Sequence, residues 1–205
     1  WLAEHQVFGS VLVPGTALLD LVLAAGRRAG LTIVDELVLR EPLVVPPQGG
    51  LRLQVRVSAE GAVTVHAQPE DGDADDWTLH AEGRLAAATS PAEPDLSLVA
   101  WPPSGADELV LDGLHDALAE AGLRYGPAFR GLRRAWRAGS TVFAEVAADH
   151  VTDGFGVHPA LLDAALHAIG AAGMFPDEGV RLPFAFGGVR LTGTAVGTQI
   201  GRAIL

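Results

Sequence analysis

Two apolar stretches 143 residues apart carry the same four letters, Ala17-Leu18-Leu19-Asp20 and Ala160-Leu161-Leu162-Asp163. In each, apolar residues recur at helical spacing. Neighbouring leucines and alanines then widen the apolar stripe until a single Asp interrupts it. A helix that apolar must be covered on most of its circumference. Four common letters can match by chance, so the flanks matter more: both stretches sit among short alternating segments that read as strands. The chain therefore reads as two copies of one α+β plan, each a helix covered by a sheet.

The local signals fill in that plan. The first helix spans 14–29, with Pro14 at its start, where a missing N–H costs little, and Gly30 as its stop. Leu51, Leu53, Val55 and Val57 alternate with Arg52, Gln54, Arg56 and Ser58, the period of a half-buried strand. A turn at 59–61, a returning strand at 63–68, an acidic solvated turn at 70–76 and a strand at 77–85 complete a meander. Prolines 91, 94, 102 and 103 mark a linker over 90–108. Beyond it, 112–121 reads as a helix stopped by Gly122, and 132–138 with 141–147 as a hairpin about Gly139-Ser140. The second apolar helix spans 159–172, and 189–191 lies in a late strand. The expected halves are thus 1–89 and 109–205.

Composition excludes several functions. The 205-residue chain has no cysteine, so it has no thiol nucleophile, thiolate metal site or disulfide. Such a chain needs no oxidising compartment, which fits the cytoplasm. All 14 basic side chains are arginine and the formal net charge is −11, a poor match to a nucleic-acid backbone. The longest apolar stretch, 11–26, is broken by Pro14 and Asp20 and falls short of the ~20 residues of a membrane span. A first residue of Trp rather than Met leads us to expect a piece of a longer polypeptide.

Four segments hold residues suited to chemistry. In the first, His5 precedes Gly9 and Pro14. Histidine titrates near neutrality and suits a general base. Gly9 would allow close backbone approach to a ligand, and the N–H groups opening the helix at Pro14 could polarise a carbonyl. In the second, Asp163 and His167 stand four apart and share a helix face. A carboxyl on an apolar helix is costly to bury ionised, which suits it to hold and deliver a proton; a polar surface pair explains the spacing equally well. Asp20, with no histidine four residues on, reads as such a surface group. The third is Tyr125-Gly126-Pro127, with the only tyrosine in the chain on a rigid turn. The fourth is Leu182-Pro183-Phe184. His66 and His80 lie on neighbouring strands and lack a third metal ligand; His115 and His150 read as surface residues. Arginines 124, 130, 133, 134 and 137 are the nearest thing to a basic patch.

Together these segments resemble the dehydratase domain of modular type I polyketide synthases. His5, Gly9 and Pro14 fit that family's HxxxGxxxxP motif, Tyr125 to Pro127 its YGP motif, 158–163 with His167 its HPALLD-type helix, and Leu182 to Phe184 its LPF motif. The resemblance implies a double hotdog: two hotdog halves, each an antiparallel sheet wrapped on a long apolar helix. It implies loss of water from a 3-hydroxyacyl thioester to give a 2-enoyl thioester, with His5 as base and Asp163 as acid. Tyr125 would hold the hydroxyl and His167 would orient the acid. Gly9, Pro14, Gly126, Pro127, Leu182, Pro183 and Phe184 would shape the substrate site. Base and acid come from different halves, so the site is expected between them. The implied substrate rides on the phosphopantetheine of an acyl carrier protein, and the domain needs no metal or cofactor of its own. Implied partners are that carrier protein, neighbouring synthase domains and a second copy in a homodimer. Compared with the family, strands are expected to be missing before the histidine motif and after 191, so the domain reads as truncated at both ends. A double-bond isomerase or cyclase on the same fold, a hotdog thioesterase and a non-catalytic scaffold are the alternatives.

Overall fold

Burying two apolar helices takes two sheets, and the computed structural model supplies them. It describes residues 1–73, 76–88, 101–148, 154–174, 181–191 and 200–205. A 3₁₀ turn (Leu2–Glu4) leads into β1 (His5–Val7), β2 (Ser10–Val11), α1 (Gly15–Arg28), β3 (Ile33–Leu39), β4 (Leu51–Val57), β5 (Ala62–Pro69) and β6 (Thr78–Ala86). The chain continues through β7 (Asp107–Glu108), α2 (Leu114–Glu120), β8 (Leu123–Tyr125) and a second 3₁₀ turn (Pro127–Phe129). It ends with β9 (Leu132–Ala138), β10 (Thr141–Ala147), α3 (Pro159–Ala171), β11 (Ala185–Arg190) and β12 (Ile200–Ile204).

One antiparallel sheet runs β11-β3-β6-β5-β4 and buries α1. Leu18, Leu19, Val22 and Leu23 of the helix pack with Val34, Leu37, Val63, Val65, Ala81 and Leu85 of the strands. A second sheet, β12-β10-β9-β7, does the same for α3. There Leu161, Ala165 and Ala168 meet Leu132, Ala135, Val142, Ala144 and Val146. A third, β2-β1-β8, joins the start of the chain to its middle. β11 comes from the far end of the chain yet pairs with β3, so the two expected halves share strands in two of the three sheets.

Several details differ from the sequence reading. β3 was not anticipated, because its buried residues do not alternate. Val34 and Leu37 are both fully buried although three residues apart, and the pairing with β6 shifts register between Val34 and Glu36. A bulge of this kind inserts a residue and breaks the period of two. Asp107 and Glu108, at the end of the stretch expected as linker, form β7 against β9; residues 90–100 of that stretch lie outside the described residues. Val189 and Arg190 end β11, and Leu191 follows the strand. The hairpin about Gly139-Ser140 is present, with Gly139 at φ +60 and Thr141 paired to Ala138. Among the described residues, no helix is long and apolar enough to cross a membrane.

Candidate active site

The strand that carries His5 is held from both sides. On one side its partner is β2, reached through the two-residue turn Phe8-Gly9. Both turn residues have positive φ, +49 and +83, the geometry that suits a tight hairpin to the twist of its strands. Gly9 is thus a turn glycine, and it does not line the main cavity; this corrects the expectation of a ligand contact. On the other side β8 pairs with β1 so that Tyr125 stands opposite His5.

The β1–β2 hairpin also sets the imidazole. His5 Nδ1 lies 2.9 Å from the Leu12 carbonyl oxygen. A carbonyl only accepts, so Nδ1 carries the proton and donates, leaving Nε2 with a free lone pair in the neutral ring. Phe129, fully buried, packs under the ring at 5.1 Å, and Tyr125 lies edge-on at 5.4 Å. Burial pushes the His5 pKa below its ordinary 6.5, against the opposing pull of the Asp163 charge and the Leu12 hydrogen bond. At neutral pH His5 is therefore a neutral imidazole with Nε2 as an acceptor.

The Tyr-Gly-Pro turn is built against the start of the chain. The Gly126 N–H donates to the Glu4 carbonyl at 2.8 Å, and the Ala128 N–H to Glu4 Oε2 at 2.6 Å. A side chain at Gly126 would begin 2.7 Å from Glu4, so glycine there is a packing requirement. Arg130 Nε donates to the Tyr125 carbonyl at 2.9 Å. Gly126 and Pro127 do not line the main cavity, contrary to expectation; they aim Tyr125, which does. Burial, with the Asp163 charge, pushes the Tyr125 pKa upward, so its hydroxyl stays protonated and can donate.

α3 brings the carboxyl. Pro159 occupies its first turn, and His158 caps it by accepting the Ala160 N–H on Nδ1 at 3.2 Å. Asp163 and His167 are both buried, and Asp163 Oδ2 lies 3.3 Å from His167 Nε2. That is ion-pair distance without hydrogen-bond alignment, since Nε2 has no hydrogen-bond partner among the described residues. Tyr125 covers His167 at 4.3 Å between ring centres.

His115 is not the surface residue expected. It is half-buried behind His167, rings 5.7 Å apart, with its Nε2 enclosed and unpaired among the described residues. Burial, then His167 and Arg130, hold its pKa down. Asp20, also expected at the surface, is half-buried and accepts the Gly156 N–H at 3.4 Å, tying α1 to the approach to α3. His66 and His80 do not face each other: His66 pairs with Leu79, and His80 Nδ1 engages the Glu41 carbonyl. Among arginines 124, 130, 133, 134 and 137, Arg134 pairs with Glu108, and Arg130 and Arg137 hold backbone carbonyls. His150 lies outside the described residues.

His5, Tyr125, Asp163 and His167 line one cavity of about 750 Å³. Pro14 and Gly15 at the start of α1, and Leu182, Pro183 and Phe184, line it as well. The first N–H of a helix has no partner within it; at α1 that residue is Gly15, which lines the cavity, while the Ala17 N–H bonds back to the Pro14 carbonyl. Most of the remaining lining is leucine, valine, isoleucine and phenylalanine. Phe129, Leu12 and Glu4, which hold the polar groups in place, were not singled out from sequence. Phe129 had a weak signal as the aromatic two residues beyond the Gly-Pro turn.

Comparison with known proteins places these features in a family. Residues 1–68 match the family described as "Polyketide synthase dehydratase domain", and 93–202 that described as "Polyketide synthase dehydratase N-terminal domain". The chain is 53% identical over 203 residues to polyketide synthase GfsA of Streptomyces halstedii, covering 93% of this chain and 3% of that protein. It superposes on the dehydratase domain from the terminal module of the rifamycin polyketide synthase with a TM-score of 0.84 at 42% identity, covering 98% of this chain and 75% of that one. A bifunctional dehydratase-cyclase domain of ambruticin biosynthesis matches with a TM-score of 0.82 at 38% identity, over 98% and 73% of the two chains.

Proposed function

Because this chain belongs to the dehydratase domains of polyketide synthases, double-hotdog hydro-lyases that act on 3-hydroxyacyl thioesters, we propose that His5 and Asp163 are its base and acid. The observation that carries this reading is that both line one cavity, although they stand 158 positions apart in the chain.

The steps follow from the groups present. His5 Nε2 takes the C2 proton, which the thioester has made acidic. The C2–H electron pair forms the C2=C3 bond as the C3–O bond breaks. Asp163 gives its proton to the departing oxygen, and water leaves. The Tyr125 hydroxyl donates to the C3 oxygen before departure, and His167 holds the Asp163 carboxyl against the cavity wall. The Gly15 N–H at the start of α1 stabilises negative charge that develops on the thioester oxygen. Pro14, Leu182, Pro183 and Phe184 shape the walls, while Gly9, Gly126 and Pro127 act through the backbone they hold. The family's reaction needs no cofactor of the domain's own.

The substrate is read as an acyl chain on the phosphopantetheine of an acyl carrier protein, within a multidomain synthase of the cytoplasm whose dehydratase domains pair as homodimers. An aromatic-walled, mostly apolar cavity supports an acyl ligand. The test is incubation with a carrier-bound 3-hydroxyacyl chain, following loss of the mass of water. His5→Ala and Asp163→Asn should each lose at least about 10²-fold in turnover. Either variant turning over like the parent overturns the assignment, and release of free acid instead of an alkene would mark a thioesterase.

A further inference from the structure

We propose that Gly170 sets the length of acyl chain this cavity accepts. Asp163, Leu166, His167, Ile169 and Gly170 all line the cavity. Positions 163, 166, 167 and 170 follow the spacing of one helix face. Seven residues of helix rise about 10 Å, so the cavity wall on α3 continues well past the carboxyl. Gly170 removes the side chain at the end of that wall. Gly170 is exposed, and apart from its chain neighbours and the helix's own backbone no described heavy atom lies within 4 Å of where its Cβ would stand.

Polarity gives the direction. Past Asp163 the α3 wall offers Leu166 beside His167 and then Ile169, with Leu118 of α2 also in the lining. The charged lining groups other than Asp163, namely Arg40, Glu41 and Arg181, come from other segments, and Arg40 is paired with Glu82. An acyl tail partitions to the apolar wall, while the amides of a pantetheine arm suit the polar one. With C3 held at Asp163, carbons beyond it run along α3 toward Gly170. A side chain there shortens the available length without touching the reacting groups. The inference rests on the proposed roles of His5 and Asp163 for the placement of C3.

The experiment is a binding series. Hydrolysis-resistant 3-hydroxyacyl pantetheine amides, from short to long, are titrated calorimetrically into the full 205-residue chain and into Gly170→Ala and Gly170→Leu. Both substitutions raise helix propensity, and the alanine variant reports if the leucine variant does not fold. Gly170→Leu should bind the shortest amide within about twofold of the parent, and lose about fourfold in affinity for each methylene displaced from the apolar wall. Gly170→Ala should show a smaller loss confined to the longest amides. Equal weakening at every length, the signature of a blocked entrance, overturns the proposal, as does no weakening at all. Turnover of the matching thioesters is measured alongside. Length-dependent binding without dehydration would overturn the catalytic reading and leave the length rule standing; dehydration without length dependence would do the reverse.

Discussion

Phe129 holds the candidate site together, and removing its ring has consequences that can be worked out. The side chain is fully buried and touches three of the aromatic groups around the site: His5 at 5.1 Å, Tyr125 at 6.0 Å and Trp1 at 5.9 Å between ring centres. Phe129→Ala deletes a ring from a site walled by strand pairing between β1 and β8, which limits collapse. Truncations of this kind cost about 3–5 kcal/mol. In a chain of this size about 1 kcal/mol shifts the melting temperature by about 2–4 °C, so a fall of roughly 6–20 °C is expected. Phe129→Leu, which keeps more of the volume, should cost about 1–2 kcal/mol and leave a folded protein to assay. In that variant His5 keeps its hydrogen bond to Leu12 but loses the tilted ring packed against its own. A misplacement of about 1 Å can cost 10²-fold in rate, so kcat should drop by at least about tenfold with little change in KM. The two assays are thermal denaturation by circular dichroism and dehydration of a 3-hydroxyacyl thioester. If Phe129→Ala melts within about 2 °C of the parent, or Phe129→Leu keeps its kcat, then Phe129 does not support His5 as argued.

Other outcomes follow from the same geometry. In the parent, kcat/KM should fall as pH drops through a value below 6.5, because only neutral His5 accepts a proton. Unfolded His5 binds its proton near 6.5 and folded His5 only at lower pH, so between those values the unfolded state holds more protons and stability should decline as pH falls. Denaturant titrations across that window check the sign. Gly83→Ala would place a Cβ 2.0 Å from the Glu36 carbonyl oxygen, forcing β3 away from β6. It should destabilise the chain by about 3 kcal/mol or more, and a variant as stable as the parent would refute the close approach.

Much of this protein was legible in its sequence, and the parts that were not share a cause. The α1 and α3 helices, the hairpin about Gly139-Ser140 and the meander of β4, β5 and β6 follow from patterns a few residues long. β3 escaped because its bulge separates Val34 and Leu37 by three positions. His115 and Asp20 looked like surface residues because each is polar and its immediate neighbours do not say what lies across from it. Only packing shows His115 behind His167 and Asp20 reaching Gly156. Gly9 and Gly126 were expected as ligand contacts, whereas one makes a left-handed turn and the other makes room for Glu4.

The sequence by itself determined that two apolar helices needed two sheets, and that a histidine, a tyrosine and a carboxyl were available for acid–base chemistry without any thiol. It did so because helix periodicity, turn residues and side-chain chemistry are local properties. The tertiary structure decided which of those groups meet. Pairing of β1 with β8 sets Tyr125 opposite His5, and the packing of α3 brings Asp163 into the same cavity. The same burial displaces the His5 proton equilibrium, because desolvation and neighbouring charge exist only once distant segments have closed around one space.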